Sequence, residues 1–259
     1  MKYVDIPNVD SDQVSLELFP CSQNPSAVVI WIHGGGWVSG DRRNVRRMPS
    51  FFNSNNFLLI SVNYPLATVG DMSLIDLQIQ AFQGLNQWLM ETSFKDTYSR
   101  AFDNINILAH SSGSHLVALA DKRFGWNSSV RNLILMDSAA YDLKERFSRM
   151  RPFQKNMFSN LMKLDLFPSS HHSEILRTYS PALLPAKARQ INSLNIVIVS
   201  SKRPGARYSA ERLKNSYCVS GYDYRIYFLD WDHDYFPDAV GVDSVLNELI
   251  LDTISVVEK

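Results

Sequence analysis

Short apolar runs alternate with longer amphipathic ones along most of the chain. Ala27–Ile32 (Ala-Val-Val-Ile-Trp-Ile) is β-branched, apolar and too short for a helix, which predicts a strand buried on both faces. Phe57–Val62, Ile105–Ala109, Leu133–Met136 and Asn195–Ser200 have the same character, and Tyr224–Leu229 is a sixth strand candidate. Val14–Phe19 alternates instead, which suits a half-exposed strand near one edge. Leu74, Leu77, Gln78, Ala81, Leu85, Trp88 and Leu89 follow the helical period between Ser73 and Glu91. Further helices are predicted over Ser112–Arg123, Ser209–Ser220 and Val240–Val257. Strands alternating with helices imply crossover connections and a mostly parallel sheet covered on both faces, an α/β fold. Ligands of such sheets bind beyond the carboxyl ends of the strands.

One stretch breaks the pattern. From Tyr141 to Arg189 the chain is rich in Phe, Met and Leu, carries Pro152, Pro168, Pro181 and Pro185, and holds no strand candidate. It reads as a helical insertion over the sheet, a lid at about residues 141–190 and not a second domain. No repeat, low-complexity tract or Gly/Ser linker divides the rest, so residues 1–259 are expected to form a single domain.

Composition narrows the chemistry. The chain has 26 Lys plus Arg against 26 Asp plus Glu, so it lacks the broad basic field of a general nucleic-acid binder. Two cysteines, Cys21 and Cys218, are too few for a disulfide framework or a four-thiolate zinc site. No run approaches the roughly 20 apolar residues of a bilayer span. The N-terminus carries acids where a secretory signal is apolar. The expectation is a cytoplasmic protein with no metal, no cofactor, no nucleic-acid partner and no membrane span; its oligomeric state, a homodimer included, is left open.

Two strand ends carry unusual residues. Ala27–Ile32 is followed by His33-Gly-Gly-Gly-Trp37, and three successive glycines lose much backbone entropy on ordering. They suit a sharp turn that presents N–H groups to a ligand, and an ordinary tight turn is the alternative. Ile105–Leu108 is followed by Ala109-His110-Ser111-Ser112-Gly113 and a helix. Small residues on both sides of Ser111 fit a nucleophile elbow, with a helix-capping serine as the plainer reading. The two motifs together are the set described for lipases and esterases. Ser111 is then the candidate nucleophile. The N–H of Ser112, with those of Gly35 and Gly36, would form the oxyanion hole. Losing one such donor typically slows turnover about 100–1000-fold.

A serine hydroxyl needs a base, and the chain has six histidines. His33, His110 and His115 lie within the motifs or the elbow helix, and His171 and His172 lie in the insertion. His233, in Asp230-Trp-Asp-His-Asp-Tyr-Phe236 after the last strand candidate, stands where the chain order Ser…Asp…His places the base. The acid is harder to assign. The loop after Asn195–Ser200, Ser200-Ser-Lys-Arg-Pro-Gly-Ala206, has no carboxylate. Asp137, directly after Leu133–Met136, is the first choice. Asp142, a displaced carboxylate or a degenerate triad are the alternatives. Asp142 also suits a role in tying down the start of the insertion.

The residues resemble the α/β-hydrolase superfamily, in its esterase/lipase branch with the His-Gly-Gly-Gly-Trp motif. Trp31–Trp37 with Ser39-Gly-Asp41, Val62–Leu66, Asp103–Leu116 and Asp230–His233 fall in the family's order. The resemblance implies the α/β-hydrolase fold, Ser111 as nucleophile, His233 as base, and Gly35, Gly36 and Ser112 as the oxyanion hole. Departures stand at Ala109, at Ser114 and at the carboxylate-free Ser200–Ala206 loop. An acid moved to the preceding strand, as in pancreatic-type lipases, matches Asp137. Arylformamidases share a similar glycine motif.

The expected partner is a small-molecule acyl substrate. Tyr141, Phe147, Met150, Phe153, Met157, Phe158, Leu161, Met162 and Phe167 of the insertion offer an apolar surface expected to shape an acyl pocket. Lys and Arg residues there, with Arg42, Arg43, Arg46 and Arg47 beside the glycine motif, either favour an anionic or carrier-linked acyl group or are solvated helix faces. The leading expectation is a serine carboxylesterase for a small to medium hydrophobic acyl ester. An arylformamidase or thioesterase and a non-catalytic hydrolase-fold binding protein are the rivals.

Overall fold

The structure, a computed structural model, describes residues 2–5, 15–21, 24–66, 74–187, 194–218 and 222–255. Val14, Ser73, Val219–Ser220 and Val256–Val257, at the fringes of predicted elements, and residues 188–190 of the insertion lie outside them. Eight strands form one sheet in the order β1-β2-β4-β3-β5-β6-β7-β8. They are β1 (Lys2–Asp5), β2 (Ser15–Phe19), β3 (Ala27–Ile32), β4 (Phe57–Val62), β5 (Ile105–His110), β6 (Val130–Met136), β7 (Leu194–Ser201) and β8 (Tyr222–Leu229). β1 and β2 run antiparallel, and every pairing from β4 to β8 is parallel. β2 therefore sits one place in from the edge, and its Glu17 is buried against Arg42. That charge pairing hides the clean alternation expected of an outer strand.

The all-apolar sequence of β3 explains its position in the middle of the sheet. Side chains alternate across a strand. Val28, Ile30 and Ile32 join one core, while Ala27, Val29 and Trp31 join another on the opposite face. The first core is closed by α2 (Leu74–Trp88) and α4 (Ser112–Arg123). The second is closed by α1 (Met48–Ser54), α9 (Tyr235–Ala239) and α10 (Ser244–Ser255). A short helix, α3 (Thr92–Thr97), follows α2, and α8 (Pro204–Tyr217) links β7 to β8. No helix among the described residues is long and apolar enough to cross a membrane.

The insertion is helical, as its composition predicts: α5 (Leu143–Arg149), α6 (Pro152–Met162) and α7 (Ser169–Thr178), with two short 3-10 turns. Its two ends are tied together. Ser180 Oγ accepts from the Leu143 N–H at 2.9 Å, and the Ala182 N–H donates to the Tyr141 carbonyl at 2.9 Å. Tyr141, Phe158, Leu161 and Met162 are buried in the first core. Phe153 and Phe167 are 67% and 49% exposed.

Candidate active site

β3 and β5 are neighbours, so the loops after them meet at one end of the sheet. After β5 the chain turns sharply into α4. Ser111, at the turn, has φ 54° and ψ −118°, backbone that L residues rarely adopt. The helix can start so close to β3 because Gly113 has no side chain: a Cβ there would lie 2.4 Å from the His33 carbonyl. Ser114 Oγ donates back to the Ala109 carbonyl at 2.7 Å.

The glycine loop is fixed by its own backbone and by buried side chains. Gly35 has φ 124°, and a Cβ on it would fall 1.9 Å from the Ser39 carbonyl oxygen. That carbonyl geometry arises because Val38, Ser39 and the Ser39 hydroxyl all donate to the Gly35 carbonyl. Tyr64 donates to the His33 carbonyl at 2.8 Å, and Gln78 donates to the Trp37 carbonyl at 3.0 Å. Among the described residues, no acceptor from the chain takes the N–H of Gly35, Gly36 or Ser112. The Ser112 N–H belongs to the first turn of α4, where helix donors lack an intrahelical partner.

Three distant side chains meet at Ser111. Its Oγ lies 2.9 Å from His233 Nε2, and His233 Nδ1 lies 2.7 Å from Asp137 Oδ2. With the ring proton on Nδ1, the imidazole donates to Asp137 and accepts from Ser111. Asp137 follows β6 in left-handed backbone, φ 41°, and its N–H donates to the Val199 carbonyl at 2.8 Å. That kink turns a fully buried carboxylate across the end of β7. There its Oδ1 accepts from the Ser201 N–H at 2.7 Å, and its Oδ2 accepts from the Arg203 guanidinium. Burial alone would raise the Asp137 pKa, but the donors His233, Ser201 and Arg203 more than offset it and hold the carboxyl below its usual range.

Asp142 stands elsewhere. Its Oδ1 caps α5 by accepting from the Glu145 N–H at 3.0 Å, and its Oδ2 accepts from Arg212 at 3.3 Å. Asp234 lines the cleft at Ser111, and the Asp232 carbonyl accepts from the Tyr235 N–H.

Two histidines acquire supporting positions that their place in the motifs did not reveal. His110 Nε2 donates to the His233 carbonyl at 3.0 Å, and its ring lies 4.7 Å from the His233 ring. Burial and then the neighbouring His233 push its pKa down to about 4, so it is neutral at pH 7. His115 accepts from Trp37 Nε1 at 3.2 Å and donates from Nε2 to the Tyr179 carbonyl at 2.8 Å. Its burial likewise lowers its pKa to about 4. Arg203 and Ser201 also escaped sequence reasoning. The signal was present: a buried carboxylate at the end of β6 requires donors from the next strand's end.

The cleft at Ser111 has a volume of about 720 Å³. Gly34–Gly36, His110 and His233 line it together with Asn44, Arg46 and Pro237. Among the described residues none of the insertion lines it, so the acyl pocket expected from its aromatic and methionine side chains is not found at this cleft. Tyr141, Phe158, Leu161 and Met162 serve as core instead, Phe158 packing edge-on against Trp37 at 5.2 Å. Phe153 and Phe167 are exposed, Met150 borders a different cavity, and the Met157 side chain lies outside the described residues. Three of the arginines beside the glycine motif are committed to ion pairs: Arg42 with Glu17, Arg43 with Asp41 and Arg46 with Asp238.

Residues 16–141 match the family model described as BD-FAE. No curated protein matches the chain. Among solved structures, esterase B from Lactobacillus rhamnosis is 15% identical with a TM-score of 0.69, over 98% of this chain and 84% of that one. An esterase from Pyrobaculum calidifontis is 15% identical with a TM-score of 0.68, over 98% and 85%. A thermostable esterase from Pseudomonas putida is 15% identical with a TM-score of 0.69, over 97% and 80%. At these identities the likeness is one of fold.

Proposed function

We propose that this chain, an α/β hydrolase of the esterase-like branch, is a serine hydrolase that cleaves a carboxylic ester of a small to medium hydrophobic acyl group through an acyl-enzyme. The observation that carries the reading is the continuous hydrogen-bonded chain from Ser111 through His233 to Asp137, at 2.9 and 2.7 Å. His233 takes the Ser111 proton as Oγ attacks the ester carbonyl, and returns it to the departing alkoxide. Asp137 keeps the imidazole in the tautomer that accepts from serine and stabilises the imidazolium. The oxyanion is received by the N–H groups of Gly35, Gly36 and Ser112, already turned away from internal acceptors before substrate arrives. Water activated by the same imidazole then hydrolyses the acyl-serine.

Ser111→Ala should abolish hydrolysis of p-nitrophenyl butyrate, and a fluorophosphonate should label the wild-type protein at Ser111. If the wild type neither turns over such esters nor takes the label, a non-catalytic binding role replaces this reading. Thioesters and formamides would pass through the same steps. A comparison of p-nitrophenyl butyrate, a butyryl thioester and formylkynurenine on one preparation therefore ranks the leaving groups.

A further inference from the structure

A second cavity, of about 180 Å³, lies between α5, α6 and the start of α8 and shares no lining residue with the Ser111 cleft. Asp142, Glu145, Arg146, Arg149, Gln154 and Tyr208 are among the residues that line it. Every carboxylate there is already taken. Glu145 pairs with Arg149, and Asp142 pairs with Arg212. Arg146 is left over. Its Nε is buried with no hydrogen-bond partner, and the nearest compensation is the Phe158 ring, 6.0 Å from the guanidinium carbon. That separation is at the outer limit of a useful cation–π contact. The adjoining cavity adds Lys144 and Arg177 and no further carboxylate.

A guanidinium whose Nε is buried without an acceptor, and which pairs with no carboxylate, is an unfavourable arrangement. Burial, and then the like charge of Arg203, act against its charged form. A hydrophobic side chain of similar length would fill the same space without that penalty.

We propose that this cavity binds the carboxylate or phosphate group of a small molecule, with Arg146 as the charge that receives it. Two arginines and two carboxylates line the cavity, and Arg212, from the adjoining one, pairs with Asp142; one positive charge is thereby left for one anionic group, and the volume admits a small acid. Arg149 and Arg212 stay with their internal partners, so the bound group meets Arg146 first. Gln154 and Tyr208 also line the cavity and carry donors for its remaining lone pairs. The site is separate from hydrolysis at Ser111 and does not depend on the function proposed above.

Melting temperature should be followed against acetate, glutarate and inorganic phosphate at constant ionic strength. A saturable rise is expected, because a ligand bound only to the folded state stabilises it by mass action. The rise should persist in Ser111→Ala and vanish in Arg146→Gln. Response to the carboxylates or to phosphate then identifies which group the site prefers. No saturable rise with any of the three, or an equal rise in Arg146→Gln, overturns the proposal. Should Arg146→Gln fail to fold, a wild-type crystal grown with glutarate or phosphate decides. An anion against Arg146 supports the site, and density showing the cavity without one refutes it.

Discussion

β6 and β7 lie side by side, pair in register from Asn132–Asn195 to Met136–Val199, and end at the same edge of the cleft region. Their ends are chemically opposite. β6 runs into Asp137, a buried carboxylate in left-handed backbone; β7 runs into Ser200–Ala206, which has no carboxylate and turns donors toward Asp137. The two loops are one device divided between strands. The carboxylate is held by the Ser201 N–H on one oxygen and by Arg203 on the other, the oxygen that also faces His233. With the carboxylate at the end of β6, the β7 loop serves as its cradle. The general point is that a missing acid in one loop is informative only when the neighbouring loop is inspected for donors.

The division can be broken most severely at Asp137. Asp137→Asn should lower kcat by about 10⁴-fold with the fold retained, because an amide no longer fixes the His233 tautomer. Circular dichroism alongside ester hydrolysis checks both halves, and a near-wild-type rate would move the acid elsewhere. Arg203→Gln should act more gently and on pH dependence. Removing a cation from the oxygen that faces His233 makes imidazolium easier to form. The acid limb of kcat/KM should therefore move to higher pH, whereas an Arg203→Lys enzyme should retain most of the wild-type profile. A uniform fall in rate with no movement of the limb would reduce Arg203 to a structural tie.

Asp142→Asn provides the contrast within the same insertion neck. Asp142 caps α5 and pairs with an Arg212 that is 44% exposed, so screening limits the ion pair's worth. Asparagine still caps a helix. Thermal unfolding should show a loss of at most about 1 kcal/mol, with hydrolysis nearly unchanged. A rate loss larger than that of Asp137→Asn would reverse the assignment of the acid.

Much of this was legible in the chain. Ala27–Ile32 and Phe57–Val62 coincide with β3 and β4 because both faces are buried and the sequences are apolar throughout. β1 was not foreseen: Lys2-Tyr-Val-Asp5 is too short and mixed to carry a period. Ser111, Asp137 and His233 are the residues that converge, since strand ends are read directly from where apolar runs stop. What could not be read was the fate of long side chains. Phe158, Leu161 and Met162 have the composition of a ligand pocket and the location of core, and composition does not separate the two. Arg203 was hidden for the same reason, because only the φ of 41° at Asp137 turns the carboxylate toward it.

The joint between Trp37, His115 and Tyr179 has a consequence for how the insertion moves. Trp37 closes the glycine loop, His115 belongs to the elbow helix, and the Tyr179 carbonyl belongs to the end of the insertion. Swinging the insertion aside would tear bonds from both the glycine loop and the elbow helix. It is a strut, not a door, and it braces both from outside the described lining of the cleft.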